Sequence, residues 1–409
     1  MNCRHCQTPV RLPFLDLGSA PPSNAYLTPA KLSEPELWFP LRVGVCENCW
    51  LVQTEDFTRA DALFDPDYGY FSAMSESWLR HCERFVGEAS DRFGLNGDSR
   101  VVEVASNDGY LLQYVQERGI PCLGIEPTHS TAELARNRGI EVVEEFFGRR
   151  VGANLARQGW AADLMIANNV LAHVPDINDF VSGFAELLKP SGVASFEFPH
   201  LLELVEGCQF DTIYHEHFSY LSLTAVKAIF EANGLRIIDV ERLPTHGGSL
   251  RIFADRLDGI DRLVSAEVRD LLELEKSAGM TQRAFYEGFQ PKAESVKMGF
   301  IEFLVDARRK GKRVAGYGAA AKGNTLLNFA GVRGDLIEFV ADRSPGKQGK
   351  FLPGSRIPIV EESVLLESAP DYVIIFPWNL KDELMSQLEV LRRGGTKLVT
   401  AVPGLEIHG

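Results

Sequence analysis

A short segment near the middle of the chain carries an unusual density of reactive side chains. Tyr214, His215, Glu216 and His217 place a phenol, two imidazoles and a carboxylate in four consecutive positions. An imidazole with an ordinary pKa of about 6.5 can take up a proton at neutral pH. A phenol or a second imidazole can stabilise an oxyanion. The segment therefore predicts a site of acid–base chemistry.

Metal binding is the competing interpretation of this segment. The helical H-E-x-x-H spacing is absent, and His215 and His217 would point to opposite sides of an extended chain. We therefore expect acid–base chemistry here rather than a metal site, with His215 in a supporting role.

The elements that position this segment are predicted from alternating helices and apolar strands after about residue 75. Strands are expected at 100–104, 122–125, 163–167 and 193–198, and in a second unit at 313–317, 336–341, 372–376 and 397–401. Strands separated by helices imply parallel, doubly wound sheets. The reactive segment lies beyond the carboxyl ends of the first set, where such sheets bind ligands.

The 409 residues are too many for one ordinary hydrophobic core, so an α/β protein of several units is predicted. Residues 1–70 are expected to form a small module that needs a cross-link or a metal ion for stability, and residues 71–260 a central doubly wound Rossmann domain. Residues 261–311 are expected to form a helical connector and residues 312–409 a second, Rossmann-like domain.

A metal site that stabilises the small module is predicted from two cysteine pairs. Cys3 and Cys6, like Cys46 and Cys49, are separated by two residues, a spacing that lets both thiolates of a pair reach one metal ion. Four thiolates leave no open coordination position, so the predicted zinc ion is structural. The three remaining cysteines are expected to be buried small side chains: Cys82, Cys122 and Cys208.

A cofactor site is predicted at the end of the first central strand. Residues 101–110 form a strand, a tight polar turn and a helix start, an arrangement that lets a cofactor approach backbone amides. Glu126 follows Glu103 by 23 residues, at the end of the next strand, where a carboxylate can bind a ribose. The turn lacks the G-x-G-x-x-G and P-loop patterns, which disfavours dinucleotides and triphosphates.

Three of these segments together resemble the S-adenosylmethionine-dependent nucleotide-sugar 3-C-methyltransferases, as in tetronitrose biosynthesis. The segments are EVASNDGYLL from Glu103, GIEP from Gly124 and ANNVLAHV from Ala167. The family loop usually reads E-x-G-S-N-D-G, so Ala105 replaces a glycine. The resemblance makes the central domain methyltransferase-type and S-adenosylmethionine its cofactor. It implies these cofactor-lining residues: Glu103, Asn107, Asp108, Glu126, Asn168, Asn169 and Ser72. Helix capping is the alternative role of the two adjacent asparagines.

The same resemblance assigns the reactive segment. Tyr214, Glu216 and His217 match the family's Y-x-E-H, which makes His217 the expected general base at carbon 3 of the sugar. Tyr214 would contact the oxygen on carbon 4, and Glu216 would orient an imidazole or bind a sugar substituent. His173 and Tyr68 are expected to approach the same sugar, although the aromatic residues around Tyr68 could simply pack.

A nucleotide diphosphate site is predicted in the second α/β unit. A small-residue turn after residues 314–318 places a lysine where it can bind an anion, and the unit resembles the family's C-terminal domain. Substrate-binding residues are expected here and in the glycine-containing loop before residue 250: Lys322, Asn324, Arg343, Lys347, Trp378, Asn379 and His246. The alternatives are a purely scaffolding role for the second unit and a plain turn for the loop that carries His246. A dTDP-linked 4-keto-6-deoxy sugar is the substrate that the resemblance favours.

Composition limits the partners. The net charge of −14 and the lack of a dense basic stripe argue against nucleic acid, and no apolar run is long enough for a membrane span. The polar start predicts a cytoplasmic chain, and we expect a monomer. Two alternatives remain open: an NAD-dependent nucleotide-sugar oxidoreductase built on the second unit, and a non-catalytic zinc-containing interaction protein.

Overall fold

The computed structural model describes residues 1–56, 73 and 75–409. The predicted contributions of Tyr68 and Ser72 lie outside these residues. The described strands are β1 (Leu12–Ala20), β2 (Phe39–Val45), β3 (Val52–Thr54), β4 (Val101–Val104), β5 (Cys122–Ile125), β6 (Glu141–Val143), β7 (Ala162–Asn168), β8 (Leu188–Pro199), β9 (Ser219–Tyr220), β10 (Leu235–Leu243), β11 (Ser249–Arg256), β12 (Val314–Tyr317), β13 (Val340–Ala341), β14 (Ile359–Val360), β15 (Tyr372–Ile375), β16 (Lys397–Thr400) and β17 (Glu406–His408).

The described α-helices follow the same chain order. They are α1 (Glu76–Phe93), α2 (Leu112–Glu117), α3 (His129–Asn137), α4 (Arg149–Leu155), α5 (Ile177–Leu187), α6 (Leu201–Glu206), α7 (Leu223–Ala232), α8 (Ala266–Ser277), α9 (Arg283–Glu287), α10 (Phe289–Arg309), α11 (Ala321–Ala330), α12 (Glu362–Ser368), α13 (Lys381–Gln387) and α14 (Glu389–Arg393). Helix α1 shows how local sequence sets these bounds: the Ser75 hydroxyl caps its first turn, and Gly94 ends it in the left-handed conformation. In the part of the chain that the structure describes, no helix has the length and hydrophobicity to cross a membrane.

The central sheet has seven strands in the order β10-β11-β8-β7-β4-β5-β6. The five strands from β8 to β6 run parallel, whereas β11 and β10 are antiparallel to their neighbours. All four residues of β4 are buried, as expected for a strand covered by helices on both faces. The carboxyl ends of β4, β5 and β7 therefore meet along one edge of this sheet.

A second, six-stranded sheet forms the C-terminal unit, in the order β14-β13-β12-β15-β16-β17. Its strands are parallel except for β17. The strand predicted at 336–341 is shorter than expected, because only Val340 and Ala341 pair with their neighbours. Residues 336 and 337 before them form a turn in which the Arg333 carbonyl oxygen accepts hydrogen bonds from both of their amides, although the Glu338 amide still donates to the Val314 carbonyl oxygen of β12.

The N-terminal module is joined to both α/β units. Strand β9, from the segment that follows the reactive residues, is the fourth strand of the module's own sheet, next to β3. One continuous core links β1 and β2 with the helices of residues 283–309 and with the C-terminal sheet; within it Phe14 stacks on Phe289 at 4.6 Å. The module thus forms part of the framework around the reactive segment.

Candidate active site

One cavity of about 920 Å³ lies between the N-terminal module and the two α/β units. Its wall includes eleven of the predicted site residues: Asn107, Glu126, Asn168, Asn169, His173, Tyr214, His217, His246, Lys322, Lys347 and Asn379. These residues span 273 positions of the sequence, from 107 to 379, so only the fold brings them together. The cavity provides room for a cofactor and a substrate to meet.

The turn after β4 forms one end of this cavity. Ala105 and Asn107 both have positive φ, at 57° and 48°, so the chain turns sharply between strand and helix. Glu126, at the end of β5, accepts hydrogen bonds from the backbone amides of Asn107 and Thr128 at 3.0 and 2.9 Å. Burial raises the pKa of Glu126. Its carboxylate and the polar turn fit an adenosine ribose, since a carboxylate can accept from both ribose hydroxyls.

Two predicted cofactor residues lie behind this surface. Glu103 is fully buried beside Tyr110, and burial raises the pKa of its carboxyl well above the usual range. Asp108 is buried and accepts a hydrogen bond from the amide of Ala73, and Arg138 lies 3.6 Å from its carboxylate. Neither side chain is part of the cavity wall, so the predicted direct contact of these two residues with the cofactor is not seen there.

The two asparagines at the end of β7 face the cavity. The short helical turn Leu171–His173 that follows them has no side-chain cap, so capping does not explain these residues. Asn169 has a positive φ of 53°, and its amide nitrogen donates to Nε2 of His246 at 3.2 Å. Its buried Oδ1 has no hydrogen-bond partner among the described residues, which leaves an acceptor for a ligand.

His217 is held in one tautomer by the backbone. Its Nδ1 lies 3.0 Å from the carbonyl oxygen of Thr212, and only a protonated Nδ1 can donate there. Nε2 then carries the free electron pair. Burial, together with the nearby positive charge of Lys322, lowers the pKa of His217 well below its usual value. At neutral pH the ring is therefore an uncharged proton acceptor.

Tyr214 and His173 surround this imidazole. The Tyr214 ring lies 4.0 Å from the His217 ring, and the His173 ring meets it nearly edge-on at 4.5 Å. Burial lowers the pKa of His173 to about 4, so this second imidazole is also neutral. The single N–H of this neutral ring is engaged in a hydrogen bond to the backbone carbonyl oxygen of Glu216, so His173 packs against the base rather than acting as a free donor.

The side chains of Glu216 and His215 are not part of the cavity wall. The Glu216 carboxylate accepts two hydrogen bonds from the amide nitrogen of Asn24, at 2.9 and 2.7 Å. Nε2 of His215 lies 3.2 Å from the carbonyl oxygens of Phe39 and Pro40, so this ring fastens the reactive segment to strand β2. The predicted supporting role of His215 agrees with this placement.

The C-terminal unit contributes a lysine to the cavity. Nζ of Lys322 donates to Oδ1 of Asn379 at 2.7 Å and lies 4.4 Å from the centre of the Trp378 ring. Burial lowers the pKa of Lys322 to about 8, although the Asp211 carboxylate opposes this effect. The indole nitrogen of Trp378 in turn donates to Asp211 at 2.7 Å. This cluster fastens the C-terminal loop to the central domain.

Two other predicted substrate residues lie elsewhere. Asn324 is buried, and its amide nitrogen donates to the carbonyl oxygen of Ser23. Arg343 is exposed and pairs with Glu362 at 3.2 Å. Neither side chain is part of the cavity wall.

Sequence reasoning missed Asn24, Trp78 and Asp211. Asn24 lies almost two hundred residues before its partner Glu216, in a turn with no recognisable motif. Trp78 packs against His81 and His246 at the cavity wall. Asp211, in the Phe210–Thr212 turn, precedes the reactive segment, but no sequence pattern indicates a role for it. None of these positions has a local pattern that distinguishes it from ordinary packing.

The four N-terminal cysteines form a metal-binding cluster. Their Sγ atoms all lie within 4.8 Å of one another, with Cys3 and Cys49 at 3.5 Å and Cys6 and Cys46 at 3.5 Å. Sulfurs bound at about 2.3 Å to a tetrahedral zinc ion would lie about 3.8 Å apart. The donor set therefore fits zinc.

Family models match three stretches of the chain. A zinc binding domain matches residues 3–64, a methyltransferase domain matches residues 74–240, and a C-methyltransferase C-terminal domain matches residues 244–403. The first match and the cysteine cluster confirm the predicted zinc site. The second confirms the prediction of a methyltransferase domain.

Similar proteins cover different shares of this chain. The C-methyltransferase NovU of Streptomyces niveus is 35% identical over 402 residues, which cover 98% of this chain and 95% of that protein. A ubiquinone biosynthesis O-methyltransferase of Bordetella avium is 28% identical over 154 residues, covering 34% of this chain and 64% of its own. Among solved structures, magnesium protoporphyrin IX methyltransferase from Synechocystis PCC 6803 with bound SAH covers 44% of this chain and 83% of its own, at 16% identity and a TM-score of 0.35. Taken with the three family matches, the likeness to NovU along nearly the whole chain shows that this protein belongs to the S-adenosylmethionine-dependent C-methyltransferase family.

Proposed function

We propose that this protein transfers a methyl group from S-adenosylmethionine to carbon 3 of a nucleotide-linked 4-keto-6-deoxy sugar, with a dTDP sugar as the expected substrate. The observation that carries the proposal is the single cavity in which His217, the cofactor turn and Lys322 meet. A carbon nucleophile, a methyl donor and an anionic substrate group each have a place along its wall.

The cofactor end of the cavity is assigned to residues at the ends of three strands. Glu126 would bind the ribose hydroxyls, while Asn107 and the asparagines of β7 would contact the rest of the cofactor. Glu103 is buried beside Tyr110, outside the cavity wall, and is not assigned a contact with the cofactor. When bound there, S-adenosylmethionine supplies an electrophilic methyl group on a sulfonium centre.

His217 is the proposed general base. The proton on carbon 3 is acidic only because the ketone at carbon 4 can delocalise the charge, so a base must lie over that carbon. Nε2 has its electron pair free because Nδ1 is bound to the Thr212 carbonyl. The low pKa keeps the ring uncharged at neutral pH, so it is ready to accept this proton without first losing one.

Stabilisation of the resulting enolate oxygen is assigned to the neighbouring phenol. Tyr214 lies against His217, so its hydroxyl is the proposed donor to the carbon 4 oxygen, while the His173 ring packs against the base. Both rings are fixed by packing, which lowers the cost of orienting them during the reaction. The enolate carbon is then the nucleophile that receives the methyl group.

The diphosphate end of the substrate is assigned to the C-terminal unit. Lys322 and Lys347 provide the positive charge of this part of the wall, and Asn379 orients Lys322. The same loop carries Trp378, whose ring packs beneath the lysine. His246, in the turn that packs beside the Trp378 loop, would contact the sugar or the cofactor.

The test is product mass. The purified protein should be incubated with S-adenosylmethionine and a panel of dTDP-, GDP- and CDP-linked 4-keto-6-deoxy sugars, including 3-amino forms. A gain of one CH₂ in a sugar nucleotide supports the proposal, and the position of the new methyl group can be read by NMR. No gain with any sugar, despite measurable cofactor binding, would move the activity to another methyl acceptor.

A further inference from the structure

The loop of residues 22–26 reaches from the N-terminal module to the cavity. The carbonyl oxygen of Ser23 accepts a hydrogen bond from Asn324 at 2.6 Å, and the Tyr26 hydroxyl donates to the carbonyl oxygen of Ala319 at 2.6 Å. Ser23 and Tyr26 are thus both hydrogen-bonded to the C-terminal unit. Asn24 lies between them and forms part of the cavity wall.

Glu216 fixes the orientation of the Asn24 amide. The amide nitrogen donates to both oxygens of the buried Glu216 carboxylate, at 2.9 and 2.7 Å. An ionised carboxylate only accepts hydrogen bonds, so the NH₂ group of Asn24 must face it. The amide oxygen is then the atom that Asn24 can offer to a ligand.

From this geometry we infer that Asn24 is a specificity-determining residue, which accepts a hydrogen bond from a hydroxyl or amine on the ring of the sugar substrate. Glu216 acts through Asn24, as the positioning residue that turns the amide oxygen towards the ligand. Asn24 shares the cavity wall with His217 and Lys322, the residues assigned to the two ends of the sugar nucleotide. The inference rests on the proposed function, because it concerns the same substrate.

The chemistry distinguishes this subsite from the charged one beside Lys322. A carbonyl-type oxygen recognises a donor and has no charge of its own, so it selects between a hydroxyl or amine and a hydrogen atom. A neutral hydrogen bond of this kind commonly contributes a factor of about 3–10 in binding or rate. Loss of the amide should therefore lower kcat/KM for the donor-bearing sugar and so remove the discrimination.

The experiment compares matched pairs of nucleotide 4-keto-6-deoxy sugars that carry either a hydroxyl or amine, or a hydrogen, at one ring carbon. The ratio of kcat/KM is measured for the wild type and for Asn24→Ala. We expect the wild type to prefer the donor-bearing sugar of at least one pair by about 3–10-fold, and the variant to bring this ratio close to one. Asn137→Ala, a change at an exposed asparagine outside the cavity, should keep the wild-type ratio.

Asn24→Ala leaves the buried Glu216 without this partner, so a second comparison guards against misfolding. Glu216→Gln is compared with the double variant Asn24→Ala/Glu216→Gln, in which no extra buried charge is created. A lower ratio in the double variant supports the inference. An unchanged ratio on loss of Asn24, or a wild type with no preference in any pair, would overturn it. A wild type that methylates none of the sugars would instead remove the proposed function, and this inference with it.

Discussion

The imidazoles of His173 and His217 meet nearly edge to face, with ring centroids 4.5 Å apart, although they come from loops after different parts of the central domain. His173 ends the turn after β7, and His217 precedes β9. The two loops are also joined by a hydrogen bond from the amide of Phe218 to the carbonyl oxygen of Ala172. The base and its neighbour are therefore positioned as one unit.

The pH dependence of kcat/KM should follow from the buried imidazoles and Lys322. Because the pKa of His217 lies well below its usual value, the base stays uncharged and activity should persist below pH 6.5, about the ordinary pKa of histidine. The pKa of Lys322 is about 8, so substrate affinity should fall as the pH rises through that value and the ammonium is lost. Steady-state rates from pH 5 to 10 would show this profile. An acidic limb centred at or above pH 6.5 would contradict the account of His217.

Arg4, which lies between the zinc ligands Cys3 and Cys6, is expected to position the reactive segment. Its guanidinium donates to the carbonyl oxygens of Pro175 and Thr54 and lies over the Phe218 ring, while its side chain is only 6% exposed. Arg4→Ala should lower the free energy of unfolding by about 2–3 kcal/mol and reduce kcat more than it changes the KM for cofactor. Denaturant unfolding, zinc content and steady-state kinetics would measure these effects.

The exposed Arg11 in the same module provides the control for that prediction. Arg11→Ala should leave stability and kcat near the wild-type values. If Arg4→Ala binds zinc normally and retains full kcat, the Arg4 side chain does not position the reactive segment.

Removal of zinc should disrupt more than the N-terminal module. Cys46→Ser removes one of the four thiolates, and small metal-stapled modules depend on the ion for their folding. Because β9 pairs with β3 and Asn24 forms part of the cavity wall, we expect both lower thermal stability and loss of methyl transfer. Metal analysis, thermal unfolding and activity would be measured together. Cys122→Ser, outside the cluster, should retain the metal; full activity in zinc-free protein would refute the coupling.

The alanine that replaces the family's glycine should carry a measurable strain. Ala105 has a φ of 57°, a left-handed conformation that costs an alanine about 1–2 kcal/mol, while glycine adds about 0.5–1 kcal/mol of backbone entropy to the unfolded chain. Ala105→Gly should therefore raise the free energy of unfolding by about 0.5–1 kcal/mol. It should also maintain or increase cofactor affinity, since a methyl group leaves the cavity wall. Denaturant unfolding and calorimetric titration would decide; a less stable variant would show that the alanine is not strained.

The central domain could be predicted from sequence because its signals are local. The strand at Cys122–Ile125 was predicted with its observed bounds, since a buried parallel strand reads as a short apolar run. The same holds for the polar turn after Val104 and for the cysteine spacing, in which two or three neighbouring residues specify a geometry. The Glu103–Glu126 spacing likewise reflects one strand–helix–strand unit.

The remaining part of the site depends on contacts between distant segments. No local pattern indicates that Asn24 would bind Glu216, or that Asp211 would accept a hydrogen bond from Trp378. Arg343 was predicted near the diphosphate because it follows a strand, yet it pairs with Glu362 on the surface. Position at a strand end predicts the right edge of a sheet, but the direction of a side chain there is set by tertiary packing.

The central claim, that His217 removes a proton from the sugar carbon, can be tested apart from methyl transfer. The nucleotide 4-keto-6-deoxy sugar is incubated in D₂O with the enzyme and without a methyl donor, and deuterium at carbon 3 is followed by mass spectrometry and NMR against an enzyme-free control. The account predicts incorporation with the wild type and the background rate with His217→Asn, although this variant should still bind S-adenosylmethionine. Exchange by His217→Asn at a rate close to that of the wild type would contradict the claim.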